Sequence, residues 1–331
     1  MEYRELGRSG LKVSTLSIGC WPIVGDAIWG PQDEAEGIAA LRTALDNGIN
    51  FFDSAEAYGD GYSEELLGRA LAGVRDKAII ASKVATAHLS ADRVQAACEA
   101  SLKRLGTDYI DVYYIHWPSR TVPLSETVEA LQKLKQAGKI RFIGASNFGV
   151  QDLPDLLKLE HVHVNQLPYN LLWRAIEFEI LPICLKENVS VTCYMPLMQG
   201  LLTGKFRSPA DVPDMRARTR HFSAQRPHTR HGEPGAEEET FATLDRIRQI
   251  CQDAGLPMAH VALAWLMRRP GVASVIVGVR NPQQVMDNLA AASLHLSDSM
   301  MRALDEATEP LKQKMGTNPD MWMSAANSRY R

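Results

Sequence analysis

Four side chains of this sequence could together move a proton: a carboxylate at Asp53, a phenol at Tyr58, an ammonium at Lys83 and an imidazole at His116. Asp53 ends the short apolar run that contains Phe51 and Phe52, and small residues carry the chain on to Tyr58 and the turn glycines Gly59 and Gly61. Lys83 and His116 end two further apolar runs, at 78–82 and 109–115. A free phenol has a pKa of about 10, too high for easy proton exchange at neutral pH. A nearby ammonium favours the phenolate, and a carboxylate beside that ammonium keeps it charged and fixed. An imidazole within reach of the same oxygen can orient a carbonyl or share its proton. Taken singly, each group has a plainer reading: a buried helix-capping Asp, a packed Tyr, an ion-paired Lys, a satisfied core His. Taken together they suit interconversion of a carbonyl and an alcohol, with Tyr58 as general acid or base. No side chain donates hydride, so that chemistry requires a cofactor.

The elements that must position these groups follow a regular alternation. A hairpin is expected from 3–6 and 11–13 around Gly7-Arg8-Ser9-Gly10. Strand patterns follow at 15–18, 50–52, 78–82, 109–115, 140–144, 162–165, 189–194 and 272–277. Helical patterns fall at 34–47, 63–71, 91–105, 124–137, 151–158 and 175–187, then at 237–254, 258–268, 282–292 and 297–307. Asp33, with Glu36 in a capping-box position, and Ser90 read as N-caps. Eight such units with short connections predict a (β/α)8 barrel over residues 1–331 as a single domain, with an N-terminal hairpin plug and extra C-terminal helices. The period breaks once, in a polar loop at 207–236 that is rich in Arg, His and Pro. A barrel presents its chemistry at the C-terminal ends of its strands, which is where Asp53, Lys83 and His116 fall, with Tyr58 just above them.

Composition excludes several other classes. The chain has 331 residues, 45% hydrophobic and 23% charged, with a net charge of −3, and no dense basic stripe that would suit nucleic acid. Its five cysteines are scattered without a C-x-x-C pair, which suggests neither a metal site nor a disulfide framework. The N-terminus lacks a basic-then-apolar signal, and no apolar run approaches about 18 residues. These features lead to the expectation of a cytoplasmic protein without membrane segments; its oligomeric state is not encoded legibly.

The tetrad and several further stretches, over 6–294, resemble the aldo-keto reductases. Gly144-Ala-Ser-Asn-Phe148 is similar to that family's signature on the fifth barrel strand, and Asn165-Gln-Leu-Pro-Tyr-Asn170 to the sixth. The segment from Tyr194 to Lys205 is similar to the seventh. The resemblance implies that Asp53, Tyr58, Lys83 and His116 are catalytic. It implies that Ser146, Asn147 and Gln166 hold the nicotinamide carboxamide and that Tyr194 stacks on the ring. Pro196, Leu197, Gln199, Gly200 and Leu202 would lie along the pyrophosphate, assisted by Lys205. Near the C-terminus, a strand leads through Gly278 and Arg280 to a helix start with Asn281 as N-cap and Pro282 at its first position. A helix N-terminus attracts anions and an adjacent guanidinium adds a fork for phosphate oxygens. The resemblance assigns Arg280 to the 2′-phosphate of NADP and Gln284 and Asn288 to the adenine, hence NADPH over NADH. Val279 stands where the family often has a small or hydroxylated residue.

Trp21, Trp29 and Trp117 fall at mouth-facing positions and would line a pocket for apolar aldehydes or for sugar rings. The stretches around Trp21 and Trp29, and Asn318–Trp322, resemble the bacterial branch that includes general aldehyde reductases and sugar or inositol dehydrogenases. A small carbonyl, polyol or sugar substrate is therefore expected. The loop with His221, His228 and His231 and the arginines 216, 218, 220, 226 and 230 has no standard metal spacing and is expected to close over cofactor or an oxygen-rich substrate. Two other readings stay open: a Schiff-base lysine at Lys83, as in aldolases, and a cofactor-sensing subunit of a membrane channel.

Overall fold

The computed structural model describes residues 1–331. Tyr3–Glu5 (β1) and Lys12–Ser14 (β2) form the expected antiparallel hairpin. Eight parallel strands then close into a barrel: Leu16–Gly19 (β3), Phe51–Asp53 (β4), Ile79–Val84 (β5), Ile110–Ile115 (β6), Ile140–Ser146 (β7), Val164–Pro168 (β8), Ser190–Tyr194 (β9) and Val272–Gly278 (β10). Each pairs with its neighbour in chain order, and β10 closes the ring between β9 and β3. Ten helices accompany the strands: Glu34–Asp46 (α1), Tyr62–Ala70 (α2), Ala91–Leu105 (α3), Leu124–Gln136 (α4), Asp152–Leu157 (α5), Ile180–Lys186 (α6), Glu237–Asp253 (α7), Met258–Met267 (α8), Pro282–Ala292 (α9) and Asp298–Met315 (α10). No helix is long and apolar enough to cross a membrane.

The period of two along each strand divides the apolar side chains between two cores. Phe51, Ala81, Val112, Tyr114, Val164 and Ala273 point inward and meet Leu6 and Val13 of the hairpin, which plugs the barrel from below. Phe52, Ile80, Tyr113 and Ile115 point outward against the helices. The same parity carries Asp53 (two beyond Phe51), Lys83 (two beyond Ala81), His116 (two beyond Tyr114) and Gln166 (two beyond Val164) into the upper end of the barrel. Gly144 is dictated by this packing, because a Cβ there would fall 2.5 Å from the Tyr114 ring.

Four local expectations are corrected. The helix expected over 175–187 is a short 3-10 turn, Ala175–Glu177, followed by α6. Pro182 lacks an N–H and its ring would press on the carbonyl of Phe178, so the helix starts just ahead of it. Helix α10 runs on through Pro310 to Met315, because Leu304, Thr308, Leu311 and Met315 make one continuous buried stripe. Ser90 does not cap α3 through its side chain; its hydroxyl donates to Asp92 at 2.8 Å. The 207–236 loop holds a short 3-10 turn, Pro209–Asp211, and is tied down by buried Ala217 and Phe222 and by Arg220, which pairs with Glu233. Asp33 does cap α1, accepting from the Glu36 amide at 2.9 Å.

Candidate active site

Lys83 is fully buried, and its ammonium uses all three of its donors: to Asp53 Oδ1 at 2.6 Å, to the Ser54 carbonyl at 2.7 Å and to the Tyr58 hydroxyl oxygen at 3.1 Å. Burial presses its pKa down, but Asp53 and then Tyr58 outweigh that and hold it above the ordinary lysine value. An ammonium so held has no free lone pair, which does not suit a Schiff-base lysine. The other Asp53 oxygen accepts from Gln166 Nε2 at 2.7 Å.

Burial raises the Tyr58 pKa, and the opposing pull of Lys83 does not reverse it. This corrects the expectation of a net lowering: the phenol is held protonated, with its oxygen accepting from Lys83 and its own proton free to point elsewhere. The His116 ring stands edge-on to Tyr58 with centroids 5.9 Å apart, and the imidazole makes no hydrogen bond within the protein. Burial, then the charges of Lys83 and Arg329, lower its pKa to about 3, so it is neutral at physiological pH. Asp53, Tyr58, Lys83 and His116 thus converge as expected.

That neutrality has a measurable consequence for stability. His221, buried in the 207–236 loop with Nε2 3.0 Å from the Leu172 carbonyl, is likewise lowered, to about 4, by burial. Above the ordinary histidine value both rings are neutral in the folded and the unfolded chain. As pH falls below it, the unfolded chain binds protons that the folded one refuses, so stability is lost progressively toward the folded pKa values. At about pH 5 the loss is about 2 kcal/mol for His221, which is fully buried, and smaller for the half-buried His116. Tm should therefore fall measurably between about pH 7.5 and about pH 5, and a flat Tm there would contradict the buried neutral ring of His221.

The expected carboxamide residues come together at one place. Ser146 and Asn147 are buried at the end of β7, and Asn147 has a left-handed φ of 63°. Its Nδ2 donates to the His116 carbonyl at 3.0 Å and to Ser146 Oγ at 3.1 Å. Its Oδ1 accepts from Tyr194 at 2.8 Å and from Tyr330 at 2.6 Å. Tyr330 was not singled out from the sequence, nor was Arg329. The C-terminal segment folds back over the mouth: Arg329 lies 3.7 Å above the Trp117 ring and pairs with buried Asp320, and Trp322 lies parallel to Tyr194 at 6.3 Å. Asp152 fastens it by accepting from the Arg331 amide at 2.7 Å and pairing with Arg120. The only local signal was an aromatic and Arg-rich tail following the Gly316–Pro319 break.

The segment after β9 turns through left-handed residues at Met195, Met198, Gln199 and Gly200. Successive turns of this kind aim backbone groups at one point, which suits a phosphate. Gln199 Oε1 is buried there without a partner, and Lys205 folds back over Gly200. Pro196, Leu197 and Leu202 belong to the same loop. At the other side, Asn281 caps α9 by accepting from the Gln284 amide at 3.0 Å, while Gln284 Oε1 accepts from the Arg280 amide at 2.9 Å. Gly278 precedes this turn, and Asn288 makes no side-chain hydrogen bond. The Arg280 guanidinium is not an open fork. It donates to Gln32 Oε1 at 2.7 Å, to the Trp29 carbonyl at 2.8 Å and to the Pro31 carbonyl. The nest suits a phosphate and the orphaned Gln199 oxygen a donor such as a ribose hydroxyl, whereas the Arg280 guanidinium is taken up by protein acceptors.

Trp21 lies parallel to Tyr58 at 5.9 Å and edge-on to Trp29 at 5.7 Å, so two of the three tryptophans make a wall leading away from the phenol. Trp117 faces the tail instead. His231 is buried with Nδ1 accepting from the Glu233 amide, His228 is exposed, and no group of three metal-ligating side chains stands together.

The model of the Aldo/keto reductase family matches residues 15–309. Aldo-keto reductase YhdN of Bacillus subtilis (strain 168) is 35% identical over 300 residues, covering 86% of this chain and 87% of that one. The NADH-specific methylglyoxal reductase of Escherichia coli (strain K12) is 32% identical, covering 93% of this chain and 100% of its own. A probable voltage-gated potassium channel subunit beta of Arabidopsis thaliana is 32% identical, covering 89% of this chain and 92% of its own. Among solved structures, an aldo/keto reductase from Klebsiella pneumoniae in complex with NADP and acetate superimposes with a TM-score of 0.73 at 31% identity, covering 92% of this chain and 95% of that one.

Proposed function

This chain belongs to the aldo/keto reductase family, and from that premise we propose that it is an NADP(H)-dependent oxidoreductase that interconverts aldehydes or ketones with alcohols, Tyr58 being its general acid and base. When bound, the nicotinamide supplies or accepts the hydride. The observation that carries the reading is that a protonated phenol and a neutral imidazole face one space, neither bonded there to the protein, with Lys83 behind the phenol oxygen. In reduction His116 donates to the carbonyl oxygen and orients it. Tyr58 then gives that oxygen its proton, and the phenolate left behind is stabilised by the ammonium 3.1 Å away. Asp53, held by Lys83 and Gln166, keeps the ammonium in place. Ser146 and the free Oε1 of Gln166 would bind the carboxamide, Asn147 would join them only by giving up one of its bonds to the His116 carbonyl, Ser146, Tyr194 or Tyr330, and the Tyr194 ring would cover the nicotinamide face.

The preference for NADPH rests on Arg280. Arg280→Ala should raise the KM for NADPH by about 10-fold or more, the worth of a charge-assisted hydrogen bond, while leaving NADH little changed. Equal losses for the two cofactors would remove Arg280 from the 2′-phosphate and bring the chain closer to its NADH-specific relative. The reaction class is tested by nicotinamide oxidation against a panel of aldehydes and keto sugars; tight NADPH binding with no turnover of any would favour the second reading, a cofactor-sensing subunit, which the channel-subunit relative supports.

A further inference from the structure

The Asn147 amide is saturated by the protein. Its Nδ2 donates to the His116 carbonyl and to Ser146 Oγ, and its Oδ1 accepts from Tyr194 and Tyr330. A carbonyl can only accept, so His116 fixes which end of the amide is nitrogen, and both tyrosines are donors. Burial holds both phenols well above their ordinary pKa, which keeps those donors protonated. Three of the four partners stand at barrel strands: His116 just after β6, Ser146 on β7 and Tyr194 on β9. The fourth, Tyr330, comes from a strap over residues 320–331 that lies outside every barrel strand. The strap is fastened at both ends. Buried Asp320 accepts from the Arg329 guanidinium at 2.7 and 2.8 Å and from the Arg329 amide at 3.1 Å. The main-chain oxygen of Arg331 accepts from the Gln151 and Asp152 amides at 2.8 and 3.1 Å, and the Arg331 amide donates to Asp152 at 2.7 Å. Gly149 makes room for this contact, because a Cβ there would fall 2.4 Å from the Arg331 oxygen. Tyr330 sits between these anchors, buried, with its ring edge-on to Trp117 at 5.4 Å. A flip of the Asn147 amide would break both tyrosine bonds and turn Oδ1 against the His116 carbonyl.

We propose that Tyr330 is a positioning residue for the nicotinamide: through Asn147 Oδ1 it keeps Nδ2 turned toward the carboxamide oxygen, so that a residue of the C-terminal strap serves the cofactor site. The inference rests on the reading that Ser146 and Asn147 bind that carboxamide. Of the four Asn147 bonds, the one to Ser146 is the longest, at 3.1 Å, and it ends on a hydroxyl that can rotate. Nδ2 can therefore pass this hydrogen to the carboxamide oxygen while both tyrosine bonds stay in place. The Ser146 hydroxyl, whose own bond to the Gln166 carbonyl is 3.3 Å long, is then free to follow. Tyr194 is steadied by the same arrangement, because its hydroxyl shares Oδ1 with Tyr330. The effect of Tyr330 passes through Asn147 and should be confined to the nicotinamide half of the cofactor.

Binding is measured by titration calorimetry on the full chain with NADPH, NADH and adenosine 2′,5′-bisphosphate, a fragment that lacks the nicotinamide. Tyr330→Phe removes only the hydroxyl. It should weaken NADPH and NADH alike by about 5–10-fold, the worth of one buried hydrogen bond, and leave the fragment unchanged. KM for either cofactor should rise by the same factor, with kcat at saturation within about 3-fold of the wild type. A merely structural Tyr330 would lower Tm and keep the three affinities in their wild-type ratio, which would overturn the proposal. NADPH affinity left unchanged by Tyr330→Phe would overturn it too. So would tighter binding, which would show that the hydroxyl competes for the amide instead of orienting it. Each of these results leaves the Tyr58 reading intact, because none depends on turnover. A wild type that binds the fragment and neither whole cofactor would overturn the carboxamide reading and the proposal together.

Discussion

Tyr58→Phe should bind NADPH with wild-type affinity and lose turnover by about 10²–10⁴-fold. The substitution removes one oxygen from a ring that keeps its parallel contact with Trp21 and its edge contact with His116. What disappears is the hydroxyl that accepts from Lys83 and holds a proton free for the substrate. The loss should appear in kcat and in kcat/KM together, because the proton is transferred in the transition state and not on binding. The wild-type pH profile should agree in sign. Burial raises the Tyr58 pKa, so the donor stays protonated through neutrality, and the rate of reduction should fall only in strongly alkaline solution. His116, lowered to about 3, should contribute no acidic limb near its ordinary value. Near-normal turnover in Tyr58→Phe would end the assignment, whatever the cofactor did.

The positions of Asp53, Lys83 and His116 were legible because each ends its own strand. Parity along a strand is a local property, and it needs only the apolar residues two steps earlier to decide which face a side chain takes. Asp33 capping α1 and the hairpin under the barrel were legible for the same reason. Partnerships made across the chain were not. Gln166 reaches Asp53 over a separation of 113 residues, and Tyr330 reaches Asn147 over 183. Nothing near Gln166 shows that one face of its amide serves a carboxylate. The same holds for Arg280, whose neighbours suggest a phosphate fork and whose guanidinium is held by the carbonyls of residues near 30. The sign of the Tyr58 shift was missed because a sequence shows the ammonium nearby but not the depth of burial that opposes it. Pro182 and Pro310 carry identical local warnings, yet the helix breaks ahead of one and continues through the other. Tertiary burial of Leu311 and Met315 decides the second case.

Lys83→Met should cost stability as well as activity, and the two losses should separate in a double variant. Asp53 and Lys83 are both buried, 2.6 Å apart, at the upper end of the barrel. Removing the ammonium leaves a carboxylate out of water with Gln166 Nε2 as its remaining side-chain donor, and breaking such a buried pair costs about 3–5 kcal/mol. Asp53→Asn combined with Lys83→Met removes both charges, and the carboxamide oxygen introduced by the first substitution can still accept from Gln166. The double variant should therefore recover much of the stability lost by Lys83→Met alone, as read from urea unfolding midpoints. Turnover should not recover, since Tyr58 then has no cation to stabilise its phenolate and burial raises its pKa without opposition. Stability losses that simply add would show that the pair is not mutually compensating. Recovery of turnover along with stability would show that Lys83 holds the fold and does not tune Tyr58, and the proton chemistry would then have to be sought at His116.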